Sequence, residues 1–339
     1  MSFEHRPRVN SVYQALGLVT KPLTRKDPEY NSQKVLDAVN EEMSRLESIR
    51  CWAPEPLEYS AAQRVANAKF VRGFMLRGLK NAELPPSEQK AKGRFVAQGS
   101  NVFLKGGQPA FFDEQQCAPT SMATVRSLIT FGELVDDGEA ELADAIQAYV
   151  QSFLPAGEVI FIWIPRELWT KKMISAAANC TNPWWRLERP LYGLSCSGAI
   201  WARHLRKILV SDGWVPVPNH PETYLKTHSD GTKTALTAYV DDLLMAGAKK
   251  KEMWASLRKH VATTPPEPLK RILGVNVDRT KGNVYYSMDG YMEQAIEMYT
   301  SACGPLPSRK VSCPGMAISS DWAHKPELCA PGRNGGHAA

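Results

Sequence analysis

Two apolar runs with a pair of acids between them, TALTAYVDDLLMAGA (residues 234–248), constrain this chain more than any other stretch. The flanks, Thr234–Val240 and Leu243–Ala248, each have the length and composition of a buried strand. An unpaired carboxylate in such a place must be neutralised, and two side by side compound the cost. A purely structural turn would favour Asn-Gly or Asp-Gly, because a two-residue hairpin loop needs positive φ. With Asp241 and Asp242 taken as the apex, neither position is Gly. The pattern therefore predicts a hairpin whose tip carries a cation.

Composition sets the frame around that hairpin. At 339 residues the chain is long enough for two or three packed subdomains. Its formal net charge of +6 is a mild basic excess, compatible with a polyanionic partner without requiring one. The cysteines at 51, 117, 180, 196, 303, 313 and 329 are odd in number and never spaced C-x-x-C. That spacing argues for reduced thiols and against a disulfide framework or zinc knuckle. No apolar h-region opens the sequence and no run reaches membrane-spanning length, so no membrane is expected and the compartment is read as cytoplasmic or nuclear.

Residues 1–30, polar and carrying Pro7, Pro22 and Pro28, read as an N-terminal arm. Between Ser32 and Ile49 the positions Val35, Leu36, Val39, Met43, Leu46 and Ile49 follow helical spacing. Residues 60–82 interleave cations with apolar side chains, and KGRFVAQG (92–99) reads as a basic strand. A helix is predicted over 120–135, and a strand ending near Ala145 is followed by a helical turn. GEVIFIWIP (157–165) is a strand by its β-branched content, and Gly198–Val210 is an amphipathic helix. Hairpins follow over 223–240, over 235–248, and over 270–288 with its turn at Lys281–Asn283; Tyr291–Ser301 is a helix. Residues 317–339 read as a disordered tail. Strands grouped as hairpins with helices between them predict α+β rather than a doubly wound parallel sheet.

A site that transfers phosphoryl groups with two metal ions, about 3.5–4 Å apart, needs a further carboxylate from a neighbouring strand. Asp144 ends an apolar segment, whereas Asp136, Asp137, Glu139 and Glu141 sit in a polar loop. The same residue would equally serve as a cap for the turn that follows, and periodicity does not separate the two readings.

The order of segments does. DAIQAYV (144–150), LYGL (191–194) with Trp201, YVDDLL (239–244) and ILGV (272–275) occur in the sequence typical of copia-type LTR-retrotransposon reverse transcriptases, which this chain resembles over residues 37–316. Weaker echoes are EEMSRLES (41–48), KGRFVAQG (92–99), CAPTSMATVRSLI (117–129), GYMEQAIEMY (290–299) and VSCP (311–314). The resemblance implies a right-hand polymerase: fingers over about 31–135, an antiparallel-sheet palm over about 136–262, and a primer-grip and short thumb region over about 263–316. It implies an RNA-directed DNA polymerase that uses Mg²⁺ or Mn²⁺, with RNA template, DNA or RNA primer and dNTPs as partners.

Carried over residue by residue, it makes Asp144 and Asp241 the metal ligands and Asp242 the third catalytic carboxylate. It places Tyr149 beneath the incoming sugar, Lys92 and Arg94 at the triphosphate or template, and Cys196 where the nucleotide is positioned. Leu273 and Gly274 fall at the primer grip. After LYGL the family usually carries Lys-Gln and then a small residue, Pro and Arg, but here Ser195, Cys196, Ser197, Gly198 and Ala199 follow. ATTPPEPL (262–269) likewise replaces a Met-Lys-Asp-Leu-Gly run. Slow nucleotide incorporation is the expectation, and the alternative function is a catalytically impaired, decayed or domesticated nucleic-acid-binding remnant. A metal-dependent phosphohydrolase would call for a His or further acid near Asp241, which the sequence lacks. No protease, integrase or RNase H pattern is present, so the chain reads as the polymerase portion of a polyprotein.

Overall fold

The computed structural model describes residues 20–80, 89–112, 118–280 and 283–304. The chain enters at Thr20–Pro22 (β1) and forms α1 (Gln33–Ser48), which buries Val35, Val39, Met43 and Leu46 as one stripe. Leu57–Glu58 (β2) and a single turn, α2 (Tyr59–Ala62), lead into β3 (Lys69–Lys80) and β4 (Lys90–Ala97). Next comes α3 (Met122–Glu133), whose N-cap Ser121 Oγ accepts from Thr124 N at 3.1 Å. After β5 (Glu141–Asp144) come β6 (Ile160–Trp163), α4 (Lys171–Ala176), β7 (Pro183–Arg186) and α5 (Ser197–Ser211). Then follow β8 (Val215–Pro216), β9 (Thr223–Thr227), β10 (Lys233–Tyr239), β11 (Asp242–Gly247) and α6 (Lys250–Leu257). The strands end with β12 (Glu267–Pro268), β13 (Arg271–Ile272), β14 (Val275–Thr280) and β15 (Asn283–Ser287). Residues Met1–Met288 form one unit, and α7 (Asp289–Cys303) belongs to a second, Asp289–Ala339.

The expected mixture of sheets and helices is present. One sheet runs β1-β3-β6-β7-β2 with β4 on β3, a second runs β12-β5-β11-β10-β9-β8, and a third runs β13-β14-β15. Every pair in the second sheet is antiparallel. The first sheet contains one parallel pair, β3 with β6, which local patterning cannot announce because a parallel partner arrives by a long crossover. Thr20–Pro22, read from sequence as part of an arm, pairs with Gly78–Lys80 instead. The tail over 317–339 and the turn residues Lys281 and Gly282 lie outside the described residues.

The second sheet is covered on both faces. Along β11, Leu243 and Met245 pack with Trp201, Leu205 and Leu209 of α5 and with Met253, Trp254 and Leu257 of α6. Leu244 and Ala246 point the other way, onto Val125, Leu128 and Ile129 of α3. Two buried faces explain why these strands read as continuous apolar runs rather than alternation. The sequence reading passed over α6, which begins in a run of lysines. Cys51, Cys180 and Cys196 are free thiols. Among the described residues no helix is long and apolar enough to cross a membrane.

Backbone contacts fasten the two sheets' connecting segments. The LYGL loop docks on β4, with Ala97 N donating to Tyr192 O at 2.8 Å. Gly193, at φ 93°, leaves no room for a side chain: a Cβ would meet Ala97 O at 2.0 Å, and one on Gly99 would meet Gly193 O at 1.9 Å. Gly93 similarly lets α1 lie on β4, where an added Cβ would come within 2.9 Å of Ala38 O. Replacing Gly193 by Ala combines overpacking with an unfavourable φ, and should cost about 2–4 kcal/mol in denaturant unfolding. A loss below about 0.5 kcal/mol would mean the loop is not held there.

Candidate active site

The β10–β11 register pairs Tyr239 with Asp242, so the two-residue loop is Val240 and Asp241. The sequence reading put the acids at positions 241 and 242 on the apex; the tip is one residue earlier. Val240 takes the positive φ the turn demands, at 60°, an uncommon conformation for a β-branched side chain. What holds it is the indole of Trp201, almost wholly buried in α5, whose Nε1 donates to Val240 O at 2.7 Å.

Asp144 arrives on the other side of β11. Its strand pairs antiparallel, Asp144 opposite Asp242, and Ala145 N donates to Asp241 O at 2.7 Å. The residues from 261 to 264 clamp it from beyond: Asp144 N donates to Thr264 Oγ1 at 2.9 Å and Thr264 N donates to Asp144 O at 2.9 Å. The cross-strand pairing puts Asp242 and Asp144 face to face. Burial of Asp242, a hydrogen bond with Asp144, and the charges of Asp144 and Asp241 push its carboxyl up to about 7.

Beyond Asp144 the chain turns sharply. Gln147 adopts the left-handed conformation (φ 51°, ψ 49°) and opens the single turn Ala148–Gln151 that carries Tyr149. The Tyr149 ring lies 4.9 Å from that of Tyr192, on the LYGL loop, and the Arg94 guanidinium sits 4.8 Å from the Tyr192 ring. Burial is the main reason that the Tyr192 phenol is raised to about 12, opposed by Arg94 and reinforced by Asp241.

These groups meet around one cavity of about 420 Å³. Asp144, Asp241 and Thr264 contribute one side; Lys80, Lys90, Lys92 and Arg94 contribute another, with Ala38, Glu41, Glu42 and Arg45 along one face of α1. Partial burial, then the charges of Arg94 and Lys80, lower the Lys92 ammonium to about 8. A roomier cleft of about 560 Å³, bounded by Arg206 and residues 216–224, holds none of the residues singled out from sequence.

Among the described residues no group of three or more His, Cys, Asp and Glu side chains forms a metal cage. The acids nevertheless fit a hard divalent cation. Their donors are carboxylate oxygens, Asp144 and Asp241 both line the cavity, and Mg²⁺ typically takes only one or two carboxylates beside water and phosphate oxygens.

Residues 78–303, well over half of the chain, match the family described as reverse transcriptase (RNA-dependent DNA polymerase). The chain belongs to that family. It is also 24% identical over 335 residues to the Retrovirus-related Pol polyprotein from transposon TNT 1-94 of Nicotiana tabacum, a match covering 91% of this chain and 23% of that relative. The copia-type resemblance seen in the motifs is thus met by independent comparison, and this reverse transcriptase sequence spans under a quarter of the relative's length.

Of the sequence-predicted residues, the fold brings Lys92, Arg94, Asp144 and Asp241 to one cavity, with Asp242 paired behind it and the Tyr149 ring tilted at 52° against the lining residue Tyr192. Cys196 does not line that cavity. It is 3% exposed, packs in the core that includes Leu194 and Ile200, and borders a separate cavity with Phe112, Glu158 and Arg203. It is the residue that precedes α5, and burial raises its thiol to about 11. Leu273 and Gly274 form a different feature, the two-residue turn of β13 and β14, at φ 50° and 81°. They are not among the residues lining the acids' cavity. Sequence reasoning missed Arg45, Gln147, Tyr192 and Thr264. The i, i+3, i+4, i+7 spacing of Ala38, Glu41, Glu42 and Arg45, a second stripe beside the apolar one, was the available signal.

Two outcomes follow. Because the Lys92 pKa is depressed on folding, the unfolded chain holds a proton that the native state has shed between about pH 8 and the ordinary lysine range, so stability rises with pH across that window. Thermal melting of wild type against Lys92→Met from pH 7.5 to 9.5, pH values bracketing about 8, should show a rise confined to wild type; parallel curves would sink it. Cys196→Gln should destabilise by about 1–3 kcal/mol, since the larger amide enters a packed core. Denaturant unfolding with no loss would instead place the side chain outside that core.

Proposed function

We propose that this cavity is the nucleotide site of an RNA-directed DNA polymerase working by two-metal nucleotidyl transfer. One observation carries the reading: the cavity is bipolar. Asp144 and Asp241 line one side of it, and Lys80, Lys90, Lys92 and Arg94 line another. A metal-bound triphosphate is the ligand class that satisfies both at once, cation to the carboxylates and phosphates to the lysines and arginine. The sheet carrying the acids is the palm in this reading, β3 and β4 with α1 the fingers, and residues 263–316 the primer-grip and thumb region, with Leu273 and Gly274 as primer grip.

Asp144 and Asp241 would hold Mg²⁺ or Mn²⁺, with Asp242 completing the acidic set. When bound, the ions lower the pKa of the primer 3′-hydroxyl and neutralise charge on the triphosphate. Lys92 and Arg94 bind the phosphates electrostatically, a contact that is blind to base sequence. Tyr149, braced by Tyr192, lies where a ribose 2′-hydroxyl would clash, favouring deoxynucleotides. The reaction joins the 3′-oxygen to the α-phosphorus and releases pyrophosphate, with template RNA and a DNA or RNA primer as partners. A slow enzyme, or a binding remnant, is the second reading. The observation favouring it is that position 196 points into the core and supplies no amide to the site.

The test is primer extension on an RNA template with Mg²⁺ or Mn²⁺. Asp144→Asn and Asp241→Asn should each reduce incorporation by about 10²–10⁴-fold while leaving salt-sensitive template–primer binding intact. Retained incorporation in both variants would overturn the site assignment. Binding without any metal-dependent incorporation in wild type would favour the remnant.

A further inference from the structure

Arg45 stands at the end of the charged stripe of α1, one helical turn beyond Glu41 and Glu42. Glu42 is 4% exposed, a depth at which a carboxylate needs partners. It has two: its Oε2 accepts from Arg45 Nη2, and its Oε1 accepts from Phe95 N on β4 at 3.4 Å. The Arg45 side chain is 46% exposed and borders the acids' cavity. With the Gln147 amide turned to satisfy both of its ends, the Gln147 oxygen accepts from Arg45 Nη2 at 3.0 Å and from Nε at 3.2 Å. A planar fork therefore ties α1 and β4 to one particular residue of the turn after Asp144.

That residue is the one in an unfavourable backbone conformation. Gln147 sits at φ 51° and ψ 49° between Asp144 and Tyr149, and Val150 N donates to its carbonyl at 3.1 Å. A non-glycine residue in the left-handed region persists when its surroundings over-determine it. Gln151 secures the far side of the turn, its amide donating to Ile146 O at 2.7 Å and to Ala262 O at 2.9 Å. Arg45 supplies the restraint on the near side.

We propose that Arg45 is a positioning residue for sugar selection: by gripping Gln147 it fixes how far Tyr149 stands from Asp144, and so how closely the ring bars a ribonucleotide. The inference rests on the reading of Tyr149 as the face against the incoming sugar, and deepens it. A lysine could keep the charge beside Glu42 but not the two-pronged contact to one oxygen.

The measurement is kcat/KM for a dNTP and for the matching rNTP in wild type, Arg45→Met, Arg45→Lys, Gln147→Leu and Arg45→Met with Gln147→Leu. Discrimination against the rNTP should fall by about tenfold in each single variant, the size of one or two lost hydrogen bonds, with no further fall in the double. Full discrimination in Arg45→Lys, or effects that multiply in the double variant, would overturn the proposal. Amide hydrogen exchange provides a readout independent of turnover. In Arg45→Met the amides of Val150 and Ser152 should exchange faster while those of β10 and β11 keep their protection. Unchanged exchange at Val150 and Ser152 would overturn the proposal, as would uniform acceleration across the protein. Should wild type incorporate both sugars equally, the reading of Tyr149 fails, and the exchange rates still decide whether Arg45 holds the turn.

Discussion

Two carboxyl groups placed directly opposite each other across a strand pair, Asp144 and Asp242, are the constraint on which the rest of the structure depends. Such a pair opposes the pairing that creates it. The second sheet tolerates it because everything around is overdetermined. Leu243 and Met245 anchor one face of β11, Leu244 and Ala246 the other, and Thr264 closes the outer edge of β5. Hydrophobic burial on both faces fixes the register, since a slip of one residue would exchange the two faces. The repulsion is thereby confined to the tip, where solvent and a cation can reach it.

The hairpin and the identity of its acids were legible because two apolar runs can be interrupted by carboxylates for few reasons. The helix over Gln33–Ser48, the strand holding Lys92 and Arg94, and the turn after Asp144 were also legible, each from local periodicity. The apex was misplaced by one residue because reading assumed that the charged pair must occupy the loop. The structure gives the strained position to Val240, and a β-branched residue in a left-handed turn is the choice propensity argues against. That Cys196 lies outside the acids' cavity was not legible either. Motif spacing reports where a residue lies along the chain, whereas the direction of its side chain depends on how α5 starts, and Ser197 Oγ donating to Leu191 O at 2.6 Å is a tertiary detail. Arg45 and Gln147 were invisible because their partnership spans separate elements.

Charge is distributed across the site in a way that a net value conceals. A chain of net charge +6 suggests a mildly basic surface, yet the basic groups that matter face acids across one cavity. Burial shifts Lys92 and Asp242 most, and like charges add to it: Arg94 and Lys80 for Lys92, Asp144 and Asp241 for Asp242. Like charges gathered on each side of the cavity leave a repulsion that a ligand carrying both signs can relieve.

The indole of Trp201 has a mechanical meaning as well as a chemical one. It grips the carbonyl of Val240 from within α5, and the same helix begins at the loop that Gly193 and Gly99 press, backbone against backbone, onto the end of β4. A helix is stiff along its axis, and contacts without intervening side chains have no slack. The tip of the acidic hairpin and the edge of the basic strand are thus the two ends of one strut. A shift of that strand would then reach the site twice, directly through Lys92 and Arg94 and indirectly through the carbonyl that Trp201 holds.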